Sequence, residues 1–513
     1  MGLSSTAAST ESVQLCVFDL RRGQHEGQEL DKILFFYPAD CPFSTQFSVI
    51  GLSEGLITFT RIFSPEAACE FIEAEGHSHV FYQAEPDIWM VMVVEKNKEA
   101  EAIWRTDALQ EVLKEVHSLF VMFHGFVRVL LEKDPGGGLV RVHLYSFIMD
   151  YLSDFFVGKK LQLPSFRDSL KERGSVQMLT ISREAAIGVQ SLVTVVESSP
   201  GINTGCNSLV LFQDLLVSTT LPPDDTVNLF TYAISRLTPR ALSSSTNTWS
   251  YMRKGNSNNA SHGVSESIFG LTGSTTNVSR DTSPSGQGQK YHVPRPFQQD
   301  KWSKEKDGFL STGIWTTQVD DSQPTPTVWL QQTQERAYLC VYQQKHLTVI
   351  LLVPVRSVIN GEQGISLLKQ QFLENASLKV LKVEEKLTRG WGGENAYHVA
   401  GYRYLLFDSD RSISRASPPG KVTTLTKDSL LALNKLREEV DVEKRRTRQE
   451  DPRHGKELEM CIRAKNNAWV IARVTHGKEL YMVLEKANET LLYASEAVEK
   501  FSERYCEGAF FLD

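Results

Sequence analysis

Cysteine is scarce in this 513-residue sequence, and the few cysteines present are not clustered. No C-x-x-C pair occurs among the seven, which are Cys16, Cys41, Cys69, Cys206, Cys340, Cys461 and Cys506. An odd number of scattered cysteines argues against a disulfide framework and against a cysteine-based zinc site. A reducing cytosol is therefore the natural compartment for this chain.

Long hydrophobic runs are missing as well. The N-terminus, MGLSSTAAST, has no basic start and no apolar centre, so it lacks the pattern of a secretory signal. The most apolar stretch, VHSLFVMFHGFVRVLL at 116–131, contains two histidines and an arginine. It is also shorter than the roughly 20 residues that a bilayer requires. We therefore predict that it forms a buried helix.

Motifs of the common enzyme classes are absent. The sequence contains no Walker A loop, G-x-S-x-G elbow, H-E-x-x-H helix or dinucleotide fingerprint. His77 and His79 fall on one strand face, but two ligands without a supporting cysteine or acid cluster do not make a zinc site. We predict no catalytic residues, no cofactor and no metal. The net charge of −7 also argues against broad nucleic-acid binding.

Three short segments that are present resemble one another: VQLCVFDL at 13–20, LVLFQD at 209–214 and YLLFDS at 404–409. Each is a strand-like apolar run that ends in Phe and an acid or its amide counterpart. Each opens a series of two strands, a helix, three strands and a closing helix. This order predicts an α/β sandwich-type unit, a five-stranded sheet covered by helices, that occurs three times.

Periodic apolar residues mark the first helix of each unit. The stripes are Leu52, Leu56, Phe59 and Phe63; Val227, Phe230, Ile234 and Leu237; and Leu433, Leu436 and Val440. The second stripe is predicted to be buried, and Thr426 is the predicted N-cap of the third helix.

Residues 241–308 interrupt the second unit with a high density of Ser, Asn, Gly and Pro. Such a composition cannot bury enough apolar surface to offset the entropy of ordering, so it predicts a disordered insertion. The predicted domain organisation is a first domain at 1–160, a linker helix region at 161–200, a second domain in two parts at 201–240 and 309–390 around the insertion at 241–308, and a third domain at 391–513.

The order of strands and helices is that of a longin domain. Three such domains in one chain, with a polar insertion in the second, resemble the tri-longin trafficking proteins. The stretch VQLCVFDLRRGQHEGQELDKILFFYPAD, followed by FSTQFSVIGLSEGLITFTRIFS, is similar to plant members of the calcium–caffeine–zinc sensitivity family of vacuolar fusion proteins. The first domain carries this resemblance best, and the rest supports it through architecture.

The resemblance implies a partner and an activity. Members of this family pair with a second tri-longin protein, the monensin-sensitivity protein, and the heterodimer is a guanine-nucleotide exchange factor for a late-endosomal Rab GTPase. The chain would then be cytoplasmic and recruited by peripheral membrane contact to the late-endosomal or prevacuolar surface. Two alternatives remain: a tri-longin scaffold or tether without exchange activity, and an unrecognised cytosolic enzyme.

The first helix carries the candidate partner interface. In GLSEG, Gly51 and Gly55 lie on one helix face, and each costs about 1 kcal/mol relative to Ala. We predict that this bare face lets the matching helix of the partner approach closely. The alternative is close packing of the glycines onto the chain's own sheet.

The resemblance places the GTPase contact at the start of the same helix and in the turn before it. The candidates are Tyr37, Pro38, Phe43, Gln46 and Ile50. The alternative is that these residues belong to the core, because Phe43 and Ile50 share a helical face.

Two further segments suggest membrane contact. MGLSST matches the myristoylation pattern M-G-x-x-x-[ST], with Gly2 as the acceptor, although short patterns of this kind often match by chance. The basic cluster EKRRTRQ at 443–449 could bind anionic lipid or an acidic partner. The alternative for this cluster is a solvated helix end, where cations suit the helix dipole.

Overall fold

The computed structural model describes residues 13–64, 69–95, 106–157, 175–179, 181, 183–197, 206–239, 241–242, 302–312, 325–390, 402–409, 412–416, 426–450, 458–475, 477–484 and 490–505. In the described part of the chain, no helix is both long enough and apolar enough to cross a membrane.

The first unit is a five-stranded antiparallel sheet with helices on both faces. Its elements are β1 (Val13–Asp19), β2 (Ile33–Tyr37), α1 (Phe43–Phe63), β3 (Phe71–Glu73), β4 (His77–Glu85), β5 (Ile88–Glu95) and α2 (Thr106–His124). Two helices follow, α3 (Val127–Lys133) and α4 (Gly138–Val157), and then the connecting elements β6 (Val176–Gln177) and α5 (Arg183–Glu197).

The second unit repeats this plan with an additional hairpin. Its elements are β7 (Asn207–Phe212), β8 (Leu215–Thr219), α6 (Pro223–Arg236), the hairpin β9 (Trp302–Lys304) and β10 (Leu310–Thr312), then β11 (Thr327–Leu330), β12 (Glu335–Gln344), β13 (Leu347–Pro354), α7 (Glu362–Asn375) and α8 (Ser377–Gly390).

The third unit has the same elements once more. They are β14 (Tyr402–Asp408), β15 (Ile413–Ala416), α9 (Lys427–Glu450), β16 (Leu458–Arg463), β17 (Trp469–Thr475), β18 (Lys478–Leu484) and α10 (Leu491–Tyr505). The strand orders of the three sheets are β2-β1-β5-β4-β3, β8-β7-β13-β12-β11 and β15-β14-β18-β17-β16. The second, first, fifth, fourth and third strands of a unit thus lie side by side each time, which confirms the predicted repeat.

Helices cover the sheet of the third unit from both sides. The predicted α9 stripe of Leu433, Leu436 and Val440 is fully buried on one face. The other face is closed by Val498 and its neighbours on α10. The hydroxyl of Thr426 accepts a hydrogen bond of 3.3 Å from the amide of Ser429, which confirms the predicted N-cap.

The first two units share one hydrophobic core. Helix α2 closes the first sheet and also packs against α6 of the second unit, and Phe123 of α2 lies 4.8 Å from Tyr232 of α6 between ring centroids. The predicted α6 stripe borders this core, with Phe230 and Leu237 buried. The first unit therefore depends on the second for cover.

The apolar stretch at 116–131 is buried as predicted, but it is not one helix. Gly125 adopts a φ of +86°, which ends α2, and α3 begins two residues later. The buried carboxylate of Glu85 accepts hydrogen bonds from the amides of Val127 (2.6 Å) and Arg128 (2.8 Å). These bonds satisfy the donors of the new helix N-terminus and so stabilise the break.

The segment predicted as a disordered insertion, 241–308, contains an ordered strand at its end. Trp302 of β9 is buried, and its indole Nε1 donates a hydrogen bond of 2.9 Å to the hydroxyl of Tyr232. The composition did not predict this strand because Trp302 is its only apolar residue and the neighbouring residues are polar. Residues 243–301 lie outside the described residues.

A short strap in the predicted linker region joins the second and third units. The amides of Val176 and Met178 donate hydrogen bonds of 2.8 Å and 2.9 Å to the backbone carbonyls of Ser412 and Ser414, along the edge of β15. The next amide, of Leu179, donates at 2.7 Å to the carbonyl of Leu216 in β8. One segment therefore occupies an edge of each sheet.

Candidate functional site: the outer face of helix α1

The inner face of α1 is unusually polar for a helix that covers a sheet. Its buried residues are Gln46, Ile50, Ser53 and Ile57. The amide of Gln46 donates to the carbonyl of Cys41 at 2.8 Å, and the hydroxyl of Ser53 donates to its own helix at 2.8 Å. These local bonds let both polar side chains lie against the sheet without an unsatisfied group.

Four large apolar residues of α1 lie on the outer face. Phe59, Ile62 and Phe63 have 58%, 70% and 73% of their surface exposed, and Leu52 is also exposed. The rings of Phe59 and Phe63 lie 4.9 Å apart between centroids. A contiguous exposed apolar face on a folded domain indicates an interaction surface.

The outward residues follow the spacing of a helix–helix seam. Ser48, Leu52, Gly55, Phe59 and Ile62 alternate at intervals of four and three residues. This is the a/d repeat by which two helices pack along their length. We call the exposed residues of this seam, together with Gly51 and Phe63, the α1 surface.

The two glycines predicted as a partner interface lie on this outer side. A Cβ atom added at Gly51 or Gly55 would meet no atom within 4 Å. The alternative that the glycines pack closely onto the chain's own sheet is therefore wrong. Their role at a partner interface stays a prediction.

The five residues predicted to contact a GTPase divide into two groups. Phe43 is exposed at the first position of α1, and Tyr37 and Pro38 are half-buried just before it. Gln46 and Ile50 are buried beneath the helix, so they support the site from below and do not offer a contact surface. Phe43 and Ile50 therefore differ in exposure although they share a helical face.

Two contacts fix α1 on its sheet. Lys32 Nζ lies 2.6 Å from the carboxylate of Glu54 in the middle of the helix. Near the C-terminal end, the guanidinium of Arg61 lies over the buried ring of Trp89, 5.5 Å from its centroid. These contacts hold α1 against the first unit at the middle and at the C-terminal end of the helix.

Two titratable side chains on the α1 side of the first sheet disfavour their charged forms. Burial raises the pKa of the Cys16 thiol beneath the helix to about 12, which disfavours a nucleophilic thiolate. Burial, with a contribution from His77, lowers the pKa of His79, whose ring stacks on Phe81. The described residues contain no cluster of three or more potential metal ligands.

Two segments were predicted to contact a membrane, Gly2 and the basic cluster at 443–449, and the structure describes only part of them. Gly2 lies outside the described residues. In the basic cluster at 443–449, Arg446 is exposed and forms an ion pair with Glu443 at 3.4 Å, as expected for a solvated helix.

Sequence reasoning overlooked Ile62 and the exposure of the α1 stripe. Apolar periodicity identifies a helix but does not say which side of it faces the sheet. The available signal was the four–three spacing through Gly55, because a small residue in such a seam favours a close neighbour.

Comparison with known proteins agrees with this architecture. Residues 13–125 match the model of the first longin domain of INTU, CCZ1 and HPS4, and residues 206–379 match the model of the INTU longin-like domain 2. Over the whole length of both chains, the sequence is 66% identical to vacuolar fusion protein CCZ1 homolog B of Arabidopsis thaliana. The chain belongs to the CCZ1 family of vacuolar fusion proteins.

Other CCZ1 homologs extend the match. The rice homolog (Oryza sativa subsp. japonica) is 63% identical over the full length of both chains. The homolog of Xenopus tropicalis is 22% identical over 97% of this chain and 96% of its own. The names of these relatives describe vacuolar fusion. The first two sheets of this CCZ1-family chain match longin models, and the third sheet has the same strand order.

Proposed function

We propose that this chain is one subunit of a heterodimeric guanine-nucleotide exchange factor for a late-endosomal Rab GTPase, and that it promotes endosome maturation and vacuolar fusion. The proposed partner is the second tri-longin protein, the monensin-sensitivity protein. The observation that carries the proposal is the α1 surface, an exposed apolar helix face in a chain of the CCZ1 family.

Nucleotide exchange requires binding energy and no covalent chemistry. A factor that binds the nucleotide-free GTPase more tightly than the loaded form must weaken nucleotide binding by the same factor. It does so by holding open the switch loops that contact phosphate and magnesium. Apolar and aromatic surfaces suit this task, and the α1 region supplies them.

The seam of the α1 surface suits the partner's helix. Leu52 and Phe59 are already about half-buried, so covering the rest of each side chain contributes roughly 1 kcal/mol, about half the value for complete burial. The open space above Gly51 and Gly55 leaves room for a backbone at close range. The partner's first longin domain would then lie beside this one.

The start of α1 is the proposed GTPase contact. Phe43 projects from the helix end next to Tyr37 and Pro38, so it remains accessible while the rest of the helix is covered. The GTPase would thus contact a surface to which both subunits of the heterodimer contribute. The assembly would work at the cytoplasmic surface of the late endosome or prevacuolar compartment.

The test is the rate of nucleotide release from a panel of Rab GTPases, measured with this chain alone and with the co-purified second tri-longin protein. We expect faster release from a late-endosomal Rab only with the pair. The double variant Gly51→Leu with Gly55→Leu should abolish pairing and acceleration together. A matched control is Leu367→Asp on α7, which alters a similarly exposed apolar residue far from α1 in sequence.

The second candidate function is a scaffold or tether that binds the GTPase or membrane without exchanging nucleotide. The same apolar α1 surface favours it equally. Rab binding without faster release, in the presence of the partner, would select this function. Phe43→Ala should then weaken Rab binding while leaving pairing intact.

A further inference from the structure

The third sheet ends in an outer strand, β16, at the opposite end from the strap. The far edge of this sheet is occupied by β6, whereas β16 is the last strand on its side. Within the described ranges, no segment pairs with the outer edge of β16. Such an edge offers backbone donors and acceptors to another chain.

The outward backbone groups of β16 can be assigned. At the hairpin turn, the amide of Ala464 donates to the carbonyl of Ala468 at 2.8 Å. The β16–β17 register continues without a shift from there, and in antiparallel strands hydrogen-bonded pairs alternate with non-bonded ones. The backbone groups of Glu459, Cys461 and Arg463 therefore point away from β17.

The side chains of the same three residues are exposed on the α10 side of the sheet. Glu459 accepts a hydrogen bond of 2.8 Å from the hydroxyl of Ser495 on α10. Arg463 lies 5.4 Å from the ring centroid of Trp469. The outer edge thus carries a negative side chain, a thiol and a positive side chain at alternate positions.

This pattern is complementary to itself. If a second β16 lies antiparallel with Cys461 opposite Cys461, then Glu459 of each strand faces Arg463 of the other. Opposite charges directly across two strands stabilise the pairing, and like charges in that position destabilise it. A two-fold axis between the two Cys461 residues therefore yields two ion pairs. It also extends the backbone hydrogen bonding of the sheet into the second copy.

We propose that β16 is a homotypic docking edge at which a second copy of this chain pairs antiparallel in the register centred on Cys461. The apolar residues Leu491, Leu492 and Tyr493 at the start of α10 are exposed on the same side of the sheet and would flank the joint. The edge lies in the third unit, apart from the α1 surface in the first. Two copies, each with its own α1 surface free, would form one assembly.

Edge charges also occur in proteins that simply avoid aggregation. That role needs only charge, whereas pairing needs opposite charges in one register. A charge-swap series separates the two. Glu459→Lys and Arg463→Glu each place like charges opposite each other in a self-pair, but a mixture of the two variants restores both ion pairs.

The experiment is sedimentation of the full chain over a concentration series. Two like-charge pairs in place of two ion pairs should weaken dimerisation roughly tenfold or more in each single variant. The equimolar mixture of Glu459→Lys and Arg463→Glu should recover the dimer. Thermal unfolding of each variant checks that the exposed substitutions leave the fold intact.

A second readout locates the contact. A short bifunctional thiol reagent should join Cys461 to Cys461 across the proposed pair, and Cys461→Ser should abolish the product. Partial burial and Glu459 raise the pKa of the Cys461 thiol, so the reaction is run at alkaline pH. Phe59→Asp on the α1 surface should leave this cross-link unchanged, which separates it from association through α1.

Three outcomes would overturn the proposal. The chain could remain monomeric at every concentration, or the mixture of charge variants could fail to recover the dimer. Cross-linking of Cys461 to the second tri-longin protein in the co-purified complex, in place of a second copy, would assign the edge to a different occupant. None of these outcomes depends on whether the chain has exchange activity.

Discussion

The indole of Trp302 and the hydroxyl of Tyr232 share a buried hydrogen bond of 2.9 Å that joins β9 to α6. We expect Tyr232→Phe to lower the free energy of unfolding by about 1–3 kcal/mol, because it leaves the buried indole N–H without its acceptor. Trp302→Phe should cost more, because it also leaves a cavity in the core. Because both remove the same bond, the double variant should lose clearly less than the sum. Urea unfolding of the four proteins measures this coupling, and additive losses would contradict it.

The two sides of α1 should respond differently to truncation. Ile57→Ala removes a buried side chain and should cost about 2–5 kcal/mol of stability. Phe59→Ala, two residues away on the exposed side, should change stability by less than about 0.5 kcal/mol. Thermal unfolding of the isolated chain tests this pair. A large loss for Phe59→Ala would mean that the α1 surface is covered within the chain.

Glu85 should be among the most sensitive carboxylates in the first unit. It is buried, and Glu85→Ala removes the acceptor for two amides at the start of α3 and for the ring of His117 at 3.2 Å. We expect a loss of about 3 kcal/mol, since buried donors are left without a partner. As a control, Arg21→Ala breaks only the exposed pair with Asp87 and should cost less than about 1 kcal/mol. Chemical denaturation compares the two, and equal losses would refute the capping role.

His124 should make the protein less stable in mild acid. Burial, with smaller contributions from His143 and Arg336, lowers its pKa to about 3. An unfolded histidine titrates near 6.5, so the unfolded state binds the proton first as the pH falls. The stabilising contribution is complete above about pH 6.5 and declines by about 1.4 kcal/mol per pH unit below it.

The measurement for His124 is the urea midpoint at pH 7.5 and at pH 5.5. His124→Phe removes the titrating group and should reduce the acid-induced loss by about 1.4 kcal/mol at pH 5.5. An unchanged pH dependence in this variant would show that other groups cause the loss. His143→Phe serves as a comparison, because burial lowers the pKa of His143 in the same direction.

Local pattern predicted the repeated units well. Alternating and helical periodicity placed the three sheets, their first helices and the N-cap at Thr426, because these features depend on neighbours in sequence. It could not predict the break at Gly125, which requires the carboxylate of Glu85 from another strand. Nor could it predict β6, whose partner strand β15 is distant in the chain. The burial of Trp302 in β9 also depends on a distant residue, Tyr232.

The site was predicted in part for the same reason. GLSEG identified a helix face that could approach another backbone, and this face is open in the structure. Phe43 is exposed whereas Gln46 and Ile50 are buried, so membership of one helical face did not predict equal exposure. Only the fold shows that α1 buries Gln46 and Ser53 while it exposes Leu52 and Phe59.

The strap that contains β6 constrains the order in which the domains can finish folding. Val176 and Ser414 touch although 238 residues separate them. During synthesis the strap emerges long before β15 is made. It can therefore pair with β8 of the second domain first, and it pairs in parallel with β15 only later. Closing so long a loop is slow compared with pairing nearby strands. The third domain therefore gains its last strand only after the ribosome has made nearly the whole protein.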